Sequence, residues 1–395
     1  MQPSPGEHGL MGSLSEVLRV AGLEGDVIDF ALRSVIPLDD LEGMDSQALD
    51  LRESFHARLR DRGLNHLVLR FDPERFNSEA TIGQNLFFGV ATEGMASIQT
   101  MVSHPFFRDT IAVDGLAQDL FALGWQFATQ TVEIFRGLEE MPELLQWLTY
   151  MTPEELPRYE QLLARVDRSS FAVASNEDRR ALIRLAFFYI EPRYRFGLLT
   201  QELREKIIAA RHRLRRNMPQ ELEPLIQPYD PATYLSAGTL LENVLFGKVN
   251  QRIGNADQTL REIGRELLAE RTDLRLKVLK LGLAHEIGPG GRRLSNLQRQ
   301  RLGLARMLVR RSLYYVMNEP LAGADASLQQ QMIERILAFL AAQPQSPAVL
   351  WVLANSELAH HFGRKVEFSQ GRLLESVPEA LNEDQPPLRN LNTAS

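Results

Sequence analysis

The sequence has 395 residues, of which 44% are hydrophobic and 24% are charged, so it is long enough for two or three packed globular domains. Its net charge of −7 gives no electrostatic reason to expect a nucleic-acid partner, which would favour a basic surface. The absence of cysteine excludes disulfides and thiolate metal sites.

The sequence has no run of apolar residues long enough to cross a bilayer; the most apolar stretches, residues 181–190 and 348–354, are too short. Residues 1–12 lack the basic start and apolar core of a secretory signal. We therefore expect a cytoplasmic protein. Any association with the inner face of a membrane would be peripheral and would require a partner or a segment outside this sequence.

The first two predicted regions are residues 1–90 and residues 91–228. Residues 1–90 contain amphipathic helical runs, a short strand at 67–71 that ends at a proline, and the first copy of a repeat. Residues 91–228 show helical periodicity interrupted by prolines. A basic run at 204–216 closes this region. It is typical of a solvated helix face, with contact to an anionic partner as the alternative.

The sequence of residues 71–89, FDPERFNSEATIGQNLFFG, is repeated at residues 229–247 as YDPATYLSAGTLLENVLFG. Both copies keep an aromatic residue at the first position, Phe71 and Tyr229. The seven identities are Asp72/Asp230, Pro73/Pro231, Ser78/Ser236, Thr81/Thr239, Asn85/Asn243, Phe88/Phe246 and Gly89/Gly247. The two copies predict similar strand–turn–helix units, and they are too few for a solenoid.

Residues 229–376 form the third predicted region, in which helices and strands alternate as in α/β proteins, and residues 377–395 are a polar tail expected to be disordered. The helix at 294–311, LSNLQRQRLGLARMLVRR, begins with a capping box. Ser295 can accept from the backbone of Gln298, whose side chain reaches back to the backbone of Ser295.

Two apolar strands follow this helix. The strand at 313–317 ends at Asn318 and Glu319, and a carboxylate at this end of a parallel strand lies where open α/β sheets bind ligands. Asp325 precedes the next helix. The second strand, 348–354, stops at Asn355, and a hairpin at 365–375 closes the region.

The order and spacing of these segments resemble the C-terminal half of an ABC transporter nucleotide-binding domain. In that family the corresponding pieces are the LSGGQ signature, the Walker B strand ending in Asp-Glu, the D-loop, the switch histidine and the closing hairpin. The resemblance covers residues 229–376, because the repeat resembles the segment that follows the Q-loop in exporters. It implies an α/β ABC-ATPase-like C-terminal half preceded by a large all-helical region.

The resemblance assigns roles to a set of residues in this sequence. Glu319 would be the catalytic carboxylate, and Asn355 stands at the switch-histidine position. Nucleotide-side positions would be Ser295, Gln298, Asn318, Asp325 and the Q-loop position Tyr229. No His/Asp/Glu set has ligand spacing, so no other metal site is expected.

The sequence departs from this family at the residues that hold the triphosphate. It contains no Gly-x-x-x-x-Gly-Lys-Ser/Thr string, whose backbone amides and lysine cradle the phosphates. Asn318 replaces a Mg²⁺-binding carboxylate, and Asn355 replaces the switch imidazole. Asn296 and Leu297 replace two signature glycines. We therefore expect no ATP hydrolysis by this chain alone.

Three functions remain open. In the first, the chain is a partial or divergent ABC ATP-binding domain. Its signature-side residues would contribute to a site for ATP and Mg²⁺ that is completed by another nucleotide-binding domain or by a missing upstream region, and coupled to a membrane-spanning subunit for transport. In the second, it is an inactive ABC-like scaffold that binds no nucleotide. In the third, it binds ATP weakly and turns it over slowly.

Overall fold

The computed structural model describes residues 7–40, 43–137 and 155–374. The chain divides into two compact units, which we describe separately: Ile28–His285, and Met1–Val27 together with Glu286–Ser395. We call the first the repeat unit and the second the terminal unit. The predicted disordered tail, residues 377–395, lies outside the described residues.

The helices, in chain order, are α1 (Glu7–Val20), α2 (Glu24–Leu32), α3 (Met44–Asp61), α4 (Ile82–Phe87), α5 (Met95–Ser103), α6 (Pro105–Ala112), α7 (Leu116–Gly137), α8 (Leu156–Arg165), α9 (Asn176–Ala186), α10 (Glu191–Tyr194), α11 (Gln201–Asn217), α12 (Leu240–Leu245), α13 (Ala256–Ala269), α14 (Thr272–Leu283), α15 (Asn296–Val309) and α16 (Ala326–Ala341).

The strands are β1 (Val68–Arg70), β2 (Gly89–Ala91), β3 (Ile226–Pro228), β4 (Gly247–Val249), β5 (Tyr314–Asn318), β6 (Ala348–Val352), β7 (Glu367–Ser369) and β8 (Arg372–Leu374). They form sheets of two strands each. The described residues are thus mostly helical with small sheets, in agreement with the predicted mixed α/β architecture and its large helical region.

The two sequence repeats pair with each other in the repeat unit. Strand β1 precedes the first repeat and pairs antiparallel with β4, which begins at the last residue of the second repeat. Strand β3, before the second repeat, pairs antiparallel with β2 in the same way. The strand before each repeat therefore pairs with the strand at the end of the other repeat.

Two glycines allow these strands to pair. A side-chain carbon at Gly89 would collide with the Gln227 carbonyl, and one at Gly247 would lie 2.5 Å from the Leu69 carbonyl. The backbones therefore approach too closely for any other residue. The identity of these glycines in both repeats has a direct steric cause.

A helical core occupies the rest of the repeat unit. Helix α7 packs along α9, and its buried faces meet in a large cluster that includes Phe121, Phe127, Leu182 and Tyr189. The apolar periodicity predicted for residues 91–228 is the face that forms this cluster.

The terminal unit contains the parallel pair β5–β6, with Tyr314 opposite Ala348 and Asn318 opposite Val352. Helix α16 connects these two strands, and the hairpin β7–β8 follows. Helix α1 packs against both α15 and α16. The start of the chain therefore shares a unit with the C-terminal α/β elements.

Two features of this division depend on contacts between residues that are distant in the sequence. The second repeat lies in the same unit as the first, because their strands pair, and the chain's first helix lies with the terminal elements. Within the described ranges, no helix has the length and apolar character needed to cross a membrane.

Candidate functional site

The predicted capping box is present at the start of α15. The Ser295 hydroxyl accepts from the Gln298 backbone N–H at 3.2 Å, and the Gln298 side-chain oxygen accepts from the Ser295 N–H at 2.9 Å. Ser295 is exposed and has the extended backbone of an N-cap residue. This arrangement satisfies two helix-end amides and leaves the N-terminus of the helix facing solvent.

Residues near the start of the chain brace this helix. The Gln298 amide nitrogen donates to the Asp26 carboxylate at 2.8 Å, so both ends of the Gln298 side chain are occupied. The Arg301 guanidinium lies 3.6 Å from the same carboxylate and donates to the Gly22 carbonyl at 3.3 Å. These contacts fix the orientation of α15 within the terminal unit.

Glu319 lies immediately after β5 and is exposed. Its backbone N–H donates to the Val352 carbonyl at 3.1 Å, which extends the pairing of β5 with β6 by one residue. Its φ of 42° is left-handed, a conformation that costs a residue with a side chain about 1–2 kcal/mol. The strain turns the chain sharply at the strand end where ligands bind in parallel sheets.

The turn after Glu319 connects to the capped helix. The Gln300 side chain on α15 donates to the Ala322 carbonyl at 3.1 Å. Asp325 caps α16 by accepting from the Leu328 N–H at 2.9 Å. The terminal unit thus brings the Glu319–Asp325 turn beside α15 through backbone and amide contacts.

A small cavity lies beside Glu319. It has a volume of about 20 Å³ and is lined by Glu319, Gln329, Trp351 and their neighbours. That volume holds about one water molecule. Asn355, after β6, uses its side-chain oxygen to accept from the Glu357 N–H at 2.9 Å and so caps the short 3₁₀ helix Ser356–His361.

Tyr229, the predicted Q-loop position, belongs to the repeat unit and lies in its aromatic core. Its ring stacks on Phe71 with centroids 3.7 Å apart and planes 6° from parallel. Its hydroxyl is buried and makes no hydrogen bond to the described residues, and burial raises the pKa of Tyr229 well above its usual value. The two aromatic residues form the centre of the repeat pair.

Two buried arginines have structural roles: the sequence analysis missed Arg52 and placed Arg211 in a basic run expected to be solvated. Arg211 on α11 donates to the carbonyls of Pro73, Arg75 and Asn85 at 2.6 to 3.0 Å. Arg52 on α3 donates to Pro231, Thr233 and Asn243 in the second repeat at 2.6 to 3.2 Å.

Each arginine also lies over a ring, Phe88 for Arg211 and Phe246 for Arg52, at 5.0 and 4.7 Å from the centroid. The sequence contains a signal for both residues, because Arg52 and Arg211 each lie about 20 residues before the Asp-Pro pair of the following repeat. Their matched contacts extend the repeat beyond residues 71–89 and 229–247.

The similarity of the chain to curated proteins lies among ABC transporter ATP-binding proteins, at modest identity and over part of its length. The chain is 35% identical over 102 residues to the Haemophilus influenzae glutathione/L-cysteine transport system ATP-binding/permease protein CydD, which covers 26% of the chain and 16% of that protein.

Two further relatives give the same picture. The Escherichia coli glutathione/L-cysteine transport system ATP-binding/permease protein CydC is 29% identical over 147 residues, 37% of the chain and 23% of that protein. The lipoprotein-releasing system ATP-binding protein LolD 2 of Rhodospirillum rubrum is 29% identical over 140 residues, 35% of the chain and 55% of that protein. No family model and no solved structure matches the chain.

The cavity at the end of β5 does not accommodate Mg·ATP. Exposed oxygen atoms of Asn318 and Glu319 end β5, and oxygen ligands suit a hard cation. The adjoining cavity has a volume of about 20 Å³, far too small for a triphosphate.

Proposed function

We propose that the chain acts as a partial or divergent ABC ATP-binding domain that contributes signature-side residues to an ATP site completed by another protein or by a region outside this sequence. ATP hydrolysis at the completed site is coupled to transport through a membrane-spanning subunit, which holds the chain peripherally at the inner face of the membrane. The chain alone does not hydrolyse ATP.

The uncovered face of the β5–β6 sheet carries this proposal. Tyr315 and Met317 are buried on one face, whereas Tyr314, Val316 and Leu350 on the other are 72%, 71% and 62% exposed. Parallel strands occur almost only in sheets that are covered on both faces. An apolar face of this kind supports the presence of a further layer, supplied by the P-loop half of an ABC-type domain.

The positions of the proposed site residues support the same conclusion. Ser295 presents an exposed, capped helix N-terminus, which is a favourable place for an anion. Glu319 is exposed at the end of the neighbouring parallel strand. In our proposal Ser295 faces a nucleotide held by the partner's P-loop, Glu319 polarises water there, and Asn318, Asp325 and Asn355 line the same edge.

The test replaces Ser295 with aspartate. Aspartate is as good an N-cap as serine, so α15 keeps its first turn, but its charge repels a triphosphate at the helix N-terminus. The chain is mixed with P-loop-bearing ABC domains encoded in the same genome, and ATPase rates are measured. We expect the chain to stimulate a cognate domain, and Ser295→Asp and Glu319→Gln to remove that stimulation.

The matched control is Thr200→Asp, which exchanges the exposed N-cap residue of α11 in the repeat unit. It adds the same charge at a helix N-terminus and should leave the stimulation unchanged. Equal stimulation by wild type and Ser295→Asp would refute a role for this helix end in a nucleotide site. ATP turnover by the chain alone within about tenfold of an ordinary ABC ATPase, on the order of 1–10 s⁻¹, would refute the need for completion.

A second candidate, a scaffold that binds no nucleotide, is supported by one observation. Both ends of the Gln298 side chain are engaged within the terminal unit, the oxygen by the Ser295 N–H and the amide nitrogen by Asp26, so a ligand at Gln298 would compete with these contacts. For a scaffold, a partner would bind the chain with the same affinity in the presence and absence of ATP. Affinity measured at both conditions separates the two functions.

A further inference from the structure

A hollow in the repeat unit lies between α5, α8 and α9, outside every residue set discussed above. Its volume is about 350 Å³, and its lining includes Arg158, Arg180, Arg184, Glu177, Ser103 and Gln99. This volume lies at the lower end of the range for small-molecule sites. Its described lining is mainly polar, with Val102 and Ala181 as the apolar contributions.

Two of the arginines lie one helical turn apart on the same side of α9. Arg180 and Arg184 are separated by four positions, and like charges at this spacing weaken a helix by a few tenths of a kcal/mol. Both nevertheless line the hollow, together with Arg158 from α8. Positive charge is therefore concentrated here against the local preference of the helix.

The guanidinium groups are only partly neutralised by the protein. Arg180 donates its Nε to the Asn176 carbonyl at 3.1 Å and makes no ion pair with any described residue. Arg184 is 3.4 Å from the Glu155 carboxylate, a long contact. Arg158 pairs with Glu177 at 2.9 Å, but both side chains are more than half exposed, so this pair is worth little.

We propose that this hollow binds a compact oxyanion with two or more negative charges, of the phosphate or pyrophosphate type. Guanidinium groups present paired N–H donors that match such oxygens, and Ser103 and Gln99 add neutral hydrogen-bonding groups at the rim. The described lining contains no aromatic side chain for stacking, which disfavours a nucleobase. Glu177 lies on the same wall and competes with the ligand for Arg158.

The test titrates the full chain with pyrophosphate and with inorganic phosphate at constant ionic strength, with chloride as the reference anion, by calorimetry. We expect saturable binding of pyrophosphate. Arg180→Gln combined with Arg184→Gln should weaken it at least about tenfold, because two charge-assisted contacts are lost. Glu177→Gln should tighten it, because Arg158 is released and a like charge is removed from the wall.

The control double variant, Arg168→Gln with Arg215→Gln, removes the same charge from exposed positions outside the hollow and should bind pyrophosphate as wild type does. Circular dichroism verifies the fold of each variant, and Arg180→Gln alone, at an exposed position, serves if the double variant unfolds. Equal weakening by the control would show that only net charge acts, and no tightening by Glu177→Gln would show that pyrophosphate does not bind beside Arg158. Either result, or a failure to bind pyrophosphate at millimolar concentration, overturns the proposal.

Discussion

Replacing Arg211 with leucine should open the first repeat. Arg211 is only 2% exposed. Its burial lowers the pKa of the guanidinium to about 10, which is still far above neutral pH, so the side chain is charged. It donates to the Pro73 carbonyl at 2.6 Å and to the Arg75 carbonyl at 3.0 Å. In the described residues these two carbonyls have no other hydrogen-bond partner.

The magnitude follows from these contacts. Each hydrogen bond from a charged group is worth about 1.5–3 kcal/mol, so the loss of these two predicts a destabilisation of roughly 4 kcal/mol. Hydrogen exchange measured by mass spectrometry can resolve this because it reports peptide by peptide. A loss of about 4 kcal/mol corresponds to roughly a thousandfold faster exchange. The effect should be largest in peptides spanning residues 71–89.

Two comparisons sharpen the test. Arg215→Leu, at an exposed position one turn further along α11, should change exchange by less than about 0.5 kcal/mol. Arg52→Leu should instead open residues 229–247, because its acceptors are the carbonyls of Pro231 and Thr233. If Arg211→Leu accelerates exchange less than about tenfold, or acts equally on both repeats, the proposed lock on the first repeat is wrong.

Three further predictions concern local strain, pH and close packing. Glu319→Gly should stabilise the terminal unit by about 1 kcal/mol in urea unfolding, since glycine tolerates the left-handed φ of 42°; unchanged or lower stability would contradict the assigned strain. Burial, aided by the charge of Arg70, lowers the pKa of His56 to about 4. The neutral His56 side chain therefore contributes fully to the stability of the folded protein above about pH 6.5, and this contribution is lost as the pH falls toward 4. Relative to His56→Gln, wild type should therefore lose roughly 3 kcal/mol between pH 7 and 4, and parallel pH profiles would refute this. Gly247→Ala should destabilise the repeat unit by at least about 2 kcal/mol, because the new methyl group meets the Leu69 carbonyl, whereas Gly254→Ala, with open space around it, should be neutral by thermal denaturation.

Features set by neighbouring residues could be predicted from the sequence. The capping box at Ser295, the apolar strands before Glu319 and Asn355, and the helix cap at Asp325 each depend on a few consecutive side chains. The repeat was also visible because its identities occur at a constant spacing. These local signals define the elements of the candidate site without placing them in space.

Features that depend on distant pairing could not be predicted. Nothing local indicates that β1 pairs with β4 across the helical region, so the pairing of the two repeats was not predicted. The solvated face predicted for the basic run is wrong for Arg211, which is buried because backbone carbonyls of the first repeat satisfy its guanidinium. Charge alone does not predict exposure when a turn supplies this many acceptors.

The two units differ in how they cover the apolar side chains of their strands. In the repeat unit Val68, Phe71 and Tyr229 are at most 8% exposed, because each repeat covers the other with its own aromatic residues. In the terminal unit Val316 and Leu350 have no such cover from the described residues. The pairing of the repeats thus covers the strands of the first unit internally, whereas the described residues of the second unit leave this face of β5 and β6 exposed. A partner that binds the terminal unit should therefore slow hydrogen exchange in β5 and β6 and leave β1–β4 unchanged.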